Sequence, residues 1–299
     1  MQPIHLSKTA KNLTMDELLS LSVGPIIACD FYVKGAETWQ PVVGGYERGR
    51  IVNIDHHADT TEMAQVVSSA NLALQRVRAM GLPPAESLVV ITHTDCDSML
   101  SAGIMSGRLA AADRYGDAAI AADHTGDENA MADLLQALDK ARDIELSFDA
   151  LARLEAGLPQ SDVVQEKLAE RRGKRLAAAE MVRSGKVAMH GEFAVGEFAE
   201  AIDGELFAPL LPDAVIIMLS SPLTENTERR EVKLRLGRAA PTGLSIHALG
   251  IRAFDPAYGG RWNGGSNKRE GGTSLAVEEY VARLRASLHT WMHRGGDVT

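Results

Sequence analysis

Ile51-Val52-Asn53-Ile54-Asp55-His56-His57 is a mainly apolar run that stops abruptly in three side chains able to bind metal. The same ending recurs at Val89-Val90-Ile91-Thr92-His93-Thr94-Asp95-Cys96-Asp97 and at Ala118-Ala119-Ile120-Ala121-Ala122-Asp123-His124-Thr125-Gly126. Upstream, Pro25-Ile26-Ile27-Ala28-Cys29-Asp30 ends alike. Four patterns typical of buried strands thus each stop at Asp or Asp/His. In an open parallel sheet the carboxyl ends of the strands share one edge, where ligands bind. Carboxylates crowded there do not all stay ionised without cations. The simplest neutraliser is a pair of divalent metals.

Between these runs the chain reads as helix. Thr14 to Leu21 carries an N-cap Thr with Glu17 three residues on, the capping-box spacing. A helix is expected within Glu62 to Met80, stopped by Gly81 and Pro83-Pro84. Another is expected over Ser98–Tyr115, with Ala118–Ala122 as a fourth short strand. Phe31 to Gly49 reads as loop plus a short strand. This alternation argues for an α/β layer with a parallel sheet. Asn129 to Gly185 is rich in Ala, Leu, Glu, Lys and Arg and breaks near Gly157-Leu158-Pro159. It reads as two or three helices that either link two domains or pack on the first. Beyond Lys186, Ala214–Leu219 and Glu231–Leu236 look like paired strands, Ser245–Gly250 like a helical turn, and Ser274 to Trp291 like a closing helix. The expected fold is α/β in two domains. A parallel doubly wound sheet with helices on both faces occupies residues 1–127 and a helical connector 128–185. A smaller mixed α/β domain fills 186–299.

The 299 residues carry a formal net charge of -9, which disfavours a partner such as long duplex nucleic acid, bound mainly through its phosphates. From Glu225 onward, 12 Lys/Arg stand against 8 Asp/Glu, so this part is positive and the remainder more acidic than the average. An acidic front and a basic tail suit a small anionic substrate; ordinary scatter of surface charge is the plain alternative. Two cysteines, Cys29 and Cys96, are too few for a disulfide framework and suit a reduced, cytoplasmic chain. The start lacks a signal-peptide core, and no 18-residue apolar run exists, so no membrane partner is expected.

His93, Asp95 and Asp97 offer imidazole and carboxylate at a spacing of two, with no thiolate required of Cys96. Such a set suits Mn²⁺ or Mg²⁺. Capping of the following helix by Asp97 or Ser98 is the structural alternative. The segment Gly259 to Gly272 holds six glycines with Arg261, Lys268 and Arg269. It reads either as a flexible loop or as a phosphate cradle, since Gly admits close backbone approach and Arg gives forked donors. Tyr258 and Trp262 are able to stack on a base, although core packing suits either. His5, His190, His289 and His293 stand alone and read as structural or surface residues.

These motifs resemble those of the DHH phosphoesterase superfamily, with a C-terminal part similar to the associated DHHA1 domain. His93, Asp95, Asp97 and Ser98 match the Asp-x-Asp-x-Asp-Gly motif, with His leading and Ser replacing Gly. Asp30 matches the strand-end Asp, 25 positions before Asp55. Asp123 matches the Asp-Thr-Gly-like turn with His124 inserted. Gly264 to Thr273 is similar to the glycine signature, with Asn267 in place of His and Gly271-Gly272 in place of Ala-Ala. The Asp-x-Asp motif follows Asp-His-His here rather than preceding it, as in a circular permutation. The resemblance implies two Mn²⁺ ions, with Mg²⁺ or Co²⁺ as substitutes. His93, Asp95 and Asp30 would hold one ion, and Asp97, Asp30, His56 and Asp123 the other, Asp30 bridging. It assigns Asp55 to orienting His56, and His57 and Arg269 to the phosphate. Arg261, Asn263, Gly264, Gly265, Ser266, Asn267, Lys268, Arg269 and Arg235 would bind substrate from the second domain, whose closure would exclude water.

The expected activity is hydrolysis of phosphate esters of small nucleotides: a short single-stranded oligoribonucleotide, a 3′,5′-bisphosphate nucleotide or a cyclic dinucleotide. An inorganic pyrophosphatase or exopolyphosphatase is the enzymatic alternative. A non-catalytic nucleotide-binding regulator is the other, and a homodimer is compatible with either.

Overall fold

The structure, a computed structural model, describes residues 1–293 apart from 10, 59, 61, 62 and 201. The chain forms two compact units. One comprises Met1–His124 with Glu128–Lys174, and the other Thr125–Asp127 with the chain from Arg175 onward. The fold is α/β in both units, each built on a six-stranded mixed sheet.

The first sheet has the order β1-β6-β2-β5-β4-β3. Its centre is parallel: β1 (Ile4–Leu6), β6 (Leu88–Ile91), β2 (Ile26–Cys29) and β5 (Ile51–Ile54). Nearly every residue of β2, β5 and β6 is buried, as expected of parallel strands covered on both faces. An antiparallel hairpin, β3 (Gln40–Val42) and β4 (Gly45–Arg48), extends the edge beyond β5. Helix α1 (Met15–Leu21) leads from β1 past β6 to β2, and α2 (Ser69–Met80) leads from β5 back past β2 to β6. Because such crossovers are right-handed, the two helices lie on opposite faces. Both start at a capping box, Thr14 with Glu17 and Ser68 with Asn71. Helix α2 falls within the expected span from Glu62 to Met80, and Glu62 itself lies outside the described residues.

Three local expectations need correction. The stretch Ser98–Tyr115 is not one helix: α3 (Cys96–Ser106) ends at Gly107, whose φ of 73° a side chain would disfavour, and α4 (Asp113–Ile120) follows. The run Ala118–Ala122 is not a strand. It completes α4 and enters a π-helical turn, Ala121–Thr125. A short alanine-rich run has no periodicity to separate a buried strand from a buried helix. Finally, β1 was not expected, because three residues are too short to carry a pattern.

The 128–185 stretch forms α5 (Ala130–Leu138), α6 (Ile144–Glu155) and α7 (Asp162–Arg183). The first two belong to the first unit, and α7 passes from one unit to the other at Lys174 and Arg175.

The second sheet has the order β11-β12-β10-β9-β8-β7, from β7 (Val187–His190), β8 (Phe193–Glu197), β9 (Ile216–Pro222) and β10 (Arg230–Leu236) to β11 (Gly259–Arg261) and β12 (Gly264–Ser266). Only β8 and β9 pair in parallel. Alternate residues of β9 serve two cores. Ile216 and Met218 pack with Tyr280, Leu284 and Leu288 of α8 (Val277–His293), whereas Ile217 and Leu219 pack with Leu206 and Phe207. Burial on both faces explains the unbroken apolar run of this strand.

Candidate metal centre

Asp30, Asp55 and Thr92 follow the carboxyl ends of the adjacent strands β2, β5 and β6. Cys29 pairs with Ile54, and Ala28 with Val90, so the residues just beyond meet on one edge. Asp30 leaves its strand with φ of 56°, a left-handed conformation costly for a residue with a side chain and common at functional sites, at about 1–3 kcal/mol. The corner is held from below by Asn53. Its amide donates to the carbonyls of Ala28 (3.3 Å) and Phe31 (3.0 Å) and accepts from the Val33 N–H (3.2 Å). The Asp30 N–H itself donates to Ile54 at 2.9 Å.

The bent backbone places the Asp30 carboxylate between two groups of ligands. Its Oδ2 lies 3.2 Å from His93 Nε2, which lies 3.4 Å from Asp95 Oδ2. Its Oδ1 lies 3.7 Å from His56 Nε2, which is 3.5 Å from Asp97 Oδ2 and 3.3 Å from Asp123 Oδ2. Ligand atoms of Asp30, His93 and Asp95 lie within 4.8 Å of one another, as do those of His56, Asp97 and Asp123. Asp30, His56 and His57 form a third such group.

Each ligand is oriented from behind. His56 directs Nδ1 at the Val67 carbonyl, 2.6 Å away, so Nδ1 carries a proton and Nε2 is the atom turned toward the carboxylates. Asp97, inside the first turn of α3 and fully buried, accepts the backbone N–H groups of Ser69 and Ala70, both at 2.7 Å. These are free donors of the α2 N-terminus, whose dipole favours a negative charge. Asp95 caps α3 by accepting from the Ser98 N–H at 3.1 Å. The Asp30 carboxylate accepts the hydroxyls of Ser69 (2.9 Å) and Ser98 (2.7 Å), one on each oxygen. The loop between β6 and α3 is tied down by Thr94, whose N–H and hydroxyl both donate to Asp139, and by Arg142, which donates to the Thr92 carbonyl.

Burial and mutual repulsion set the charges. Burial, reinforced by the charge of Asp30, pushes the Asp97 carboxyl well above the usual range. Burial also raises Asp95, against the pull of His93. For Asp30 the burial penalty is outweighed by the hydrogen bond and charge of His93, so this carboxyl is lowered. His93 itself is pushed up to about 12: burial opposes its charge, but Asp95 and Asp30 outweigh burial. Among the described residues, Asp30, Asp95 and Asp97 face only imidazoles as positive partners. One shared carboxylate, two further acids on one side, one on the other, and imidazoles turned inward form a donor set that fits divalent cations, which would let the whole set ionise.

Two expected roles change. Asp55 does not orient His56. It receives His57 Nδ1 at 2.5 Å and the His57 N–H at 3.1 Å, while the Val67 carbonyl serves His56. Asp123 belongs to the π-helical turn rather than to a strand end, a distortion common at functional sites. Sequence reasoning missed Asn53, Ser69, Val67 and His124, whose Nε2 shares the Val67 carbonyl at 2.9 Å. Capping-box Ser68 was the available signal for the α2 N-terminus.

In the second unit, the expected glycine loop is a hairpin. Gly260 faces Gly265 across β11 and β12. A Cβ on Gly265 would stand 2.2 Å from the Gly259 oxygen, and one on Gly260 2.3 Å from the Gly265 Cα. The glycines therefore admit the neighbouring backbone. Asn267, expected to bind substrate, is fully buried. Its amide donates to Asp255 (2.9 Å) and accepts from the Val232 N–H (2.8 Å), so its polar atoms are occupied. Asn263 is buried, whereas Arg235, Arg261, Gly264, Gly265 and Ser266 are partly accessible. Lys268 and Arg269 are exposed, with Lys268 3.5 Å from Glu231.

No family model matches the chain, and no curated protein matches it. Among solved structures it is similar to the pGpG-specific phosphodiesterase PggH from Vibrio cholerae. That match has 10% identity and a TM-score of 0.41, over 73% of this chain and 88% of the other. It is also similar to an exopolyphosphatase-related protein from Bacteroides fragilis, at 16% identity and a TM-score of 0.39, over 89% of this chain and 71% of the other. At that distance the site stands on its own geometry. No helix among the described residues is long and apolar enough to cross a membrane.

Proposed function

We propose that this chain is a metal-dependent phosphoesterase of the DHH type that hydrolyses small phosphorylated compounds with two Mn²⁺ ions. One observation carries the proposal: the two oxygens of a single buried carboxylate, Asp30, face different ligand groups, His93 with Asp95 and His56 with Asp97 and Asp123. A bridging carboxylate of this kind is the signature of a binuclear centre. Asp30, His93 and Asp95 would hold one ion and His56, Asp97 and Asp123, with Asp30, the other, which would supply Lewis acidity for activating water and for an in-line displacement.

The remaining work falls to the chain. His56 would offer Nε2 to an ion because Val67 holds its other nitrogen. Asp97 is kept in place by the α2 N-terminus. His57, partly exposed and tethered by Asp55, is suited to hold a proton against a phosphate or leaving oxygen. Of the residues expected to bind substrate, Lys268 and Arg269 are exposed and would grip a phosphate, whereas Asn267 is committed to the fold. The substrate class we favour is a small nucleotide, with pyrophosphate or polyphosphate as the competitor for the same centre.

The test is release of phosphate or mononucleotide by chelator-stripped protein, with and without Mn²⁺, from pyrophosphate, a ribodinucleotide and a bisphosphate nucleotide. Cleavage of one substrate that requires Mn²⁺ and disappears in a folded Asp97→Ala protein is expected. Activity unchanged by Asp97→Ala overturns the proposal, and metal binding without turnover on any substrate leaves a nucleotide-binding module in its place.

A further inference from the structure

A second group of metal-competent side chains lies in the other unit, far along the sequence from the acid–histidine centre. Helix α8 buries Tyr280, Leu284 and Leu288 against the sheet, which fixes its rotation. His289 and His293 are thereby left exposed on its outer side. They are four residues apart, one helical turn, so their side chains are neighbours. Their Nε2 atoms stand 3.2 Å apart, with the rings at 63° and centroids 4.2 Å apart.

That separation has a chemical meaning. Two imidazole nitrogens each 2.0–2.1 Å from one ion stand about 3.3 Å apart in the tetrahedral geometry of Zn²⁺ and about 2.9 Å apart at adjacent positions of the tetragonal geometry of Cu²⁺, and the observed separation falls between the two. The pair is therefore already set at the bite of a chelate. The cation nearest in the helical register, Arg285, is drawn away: its guanidinium donates to the His190 carbonyl at 2.9 Å and lies 5.5 Å over the Phe193 ring. An alternative use of 3.2 Å is a hydrogen bond between one protonated and one unprotonated nitrogen, which competes with metal for the same lone pair.

We infer that His289 and His293 form an exposed two-histidine site for a late transition-metal ion, Cu²⁺, Ni²⁺ or Zn²⁺, with water filling the other positions. The donor set separates it from the buried centre. Imidazole alone favours the late metals, which follow the order Ni²⁺ < Cu²⁺ > Zn²⁺, whereas a carboxylate-rich set accepts Mn²⁺ or Mg²⁺. The site needs no residue of the Asp30 centre, so it stands or falls independently of the function proposed above.

The experiment titrates Cu²⁺ into the full chain kept in excess Mn²⁺, by calorimetry and by quenching of tryptophan fluorescence, since Trp291 lies between the two histidines in the sequence. The expected result is one Cu²⁺ equivalent bound with quenching, and loss of both signals in His289→Ala and in His293→Ala. Both residues are exposed, so both variants should fold, and their melting temperatures check this. Asp30→Asn, which removes the carboxylate shared by both buried ligand groups, should keep the equivalent, which shows that it is not the buried centre that binds. Cu²⁺ binding by either histidine variant equal to wild type, or none by wild type, overturns the inference and leaves the pair as a hydrogen bond.

Discussion

The acid–histidine cluster of the first unit and the glycine-rich hairpin of the second use their polar groups in opposite ways. Around Asp30, protein hydrogen bonds hold the backs of the ligands and leave their donor atoms converging on shared space. His56 is held at Nδ1 while its Nε2 faces the acids, and Asp97 is held by backbone N–H groups while still facing His56. In the hairpin, the groups that looked ligand-like are satisfied by the fold: Asn267 by Asp255 and Val232, and the glycines by strand backbone at contact distance. The first arrangement has electrostatic tension that a cation relieves. In the second, the buried Asp255 carboxylate is answered by hydrogen bonds from Asn267 and Tyr280. A cluster signals function where its polar atoms are oriented but not consumed, a distinction that residue types alone do not carry.

The sharpest way to break this contrast is Asp30→Asn. Asn tolerates the left-handed corner and preserves the shape of the side chain, so the fold should persist. The bridging charge is lost from both ligand groups at once. Hydrolysis should fall to background, and calorimetry should show at most one Mn²⁺ retained. A variant that binds two ions as tightly as wild type would mean that Asp30 is no bridge.

Gly265→Ala should have the next largest effect, on stability rather than chemistry. The new Cβ meets the Gly259 oxygen at 2.2 Å, and the obstacle is backbone, which cannot rotate aside. Such overpacking costs about 1–3 kcal/mol, read as a lowered denaturation midpoint with Mn²⁺ binding in the first unit unchanged. Unaltered stability would restore the view of this segment as an open loop.

How much of this was legible in sequence depended on what sets each position. Asp30, Asp55, His56 and His57 were placed by strand ends, and parallel pairing carries them to one edge whatever the loops do. Asp123 was found beside them although Ala118–Ala122 was assigned the wrong element. The acid still follows a buried segment, but a run of alanines does not say whether that segment is strand or helix. The partner of His56 was misread because backbone carbonyls such as Val67 are invisible in sequence, and the role given to Asp55 came from the family resemblance. Asn53 was absorbed into an apolar strand pattern, since its hydrogen bonds exist only once Ala28 and Phe31 are across the sheet. The hairpin was misjudged because glycine composition reports close approach without saying to what.

Ser98→Ala sharpens the first half of the contrast. The Ser98 hydroxyl donates to Asp30 Oδ2 at 2.7 Å in a fully buried setting. Groups that orient metal ligands are typically worth about 10–100-fold in metal affinity. The Mn²⁺ dissociation constant should rise by that factor while the helix stays capped by Asp95. An unchanged constant would show that Ser69 alone, on Oδ1, holds the carboxylate.

The smallest effect tests whether anything in the hairpin region is left over for substrate. Lys268 and Arg269 project from a short 3₁₀ turn, Lys268–Glu270, and both are exposed. Lys268 reaches the buried carboxylate of Glu231, which Lys233 also approaches at 3.8 Å, so Lys268→Ala should lower the melting transition modestly, whereas Arg269→Ala at an exposed position should leave it almost where it was. If these cations hold the phosphate that is not being cleaved, KM should rise in each variant while kcat changes little, because a contact made equally in ground and transition states affects binding alone. The rise should shrink as salt is added, as exposed charge interactions are screened. A KM indifferent to both substitutions would assign phosphate recognition wholly to the acid–histidine side, and the two regions would then differ in function as well as in how they use their polar groups.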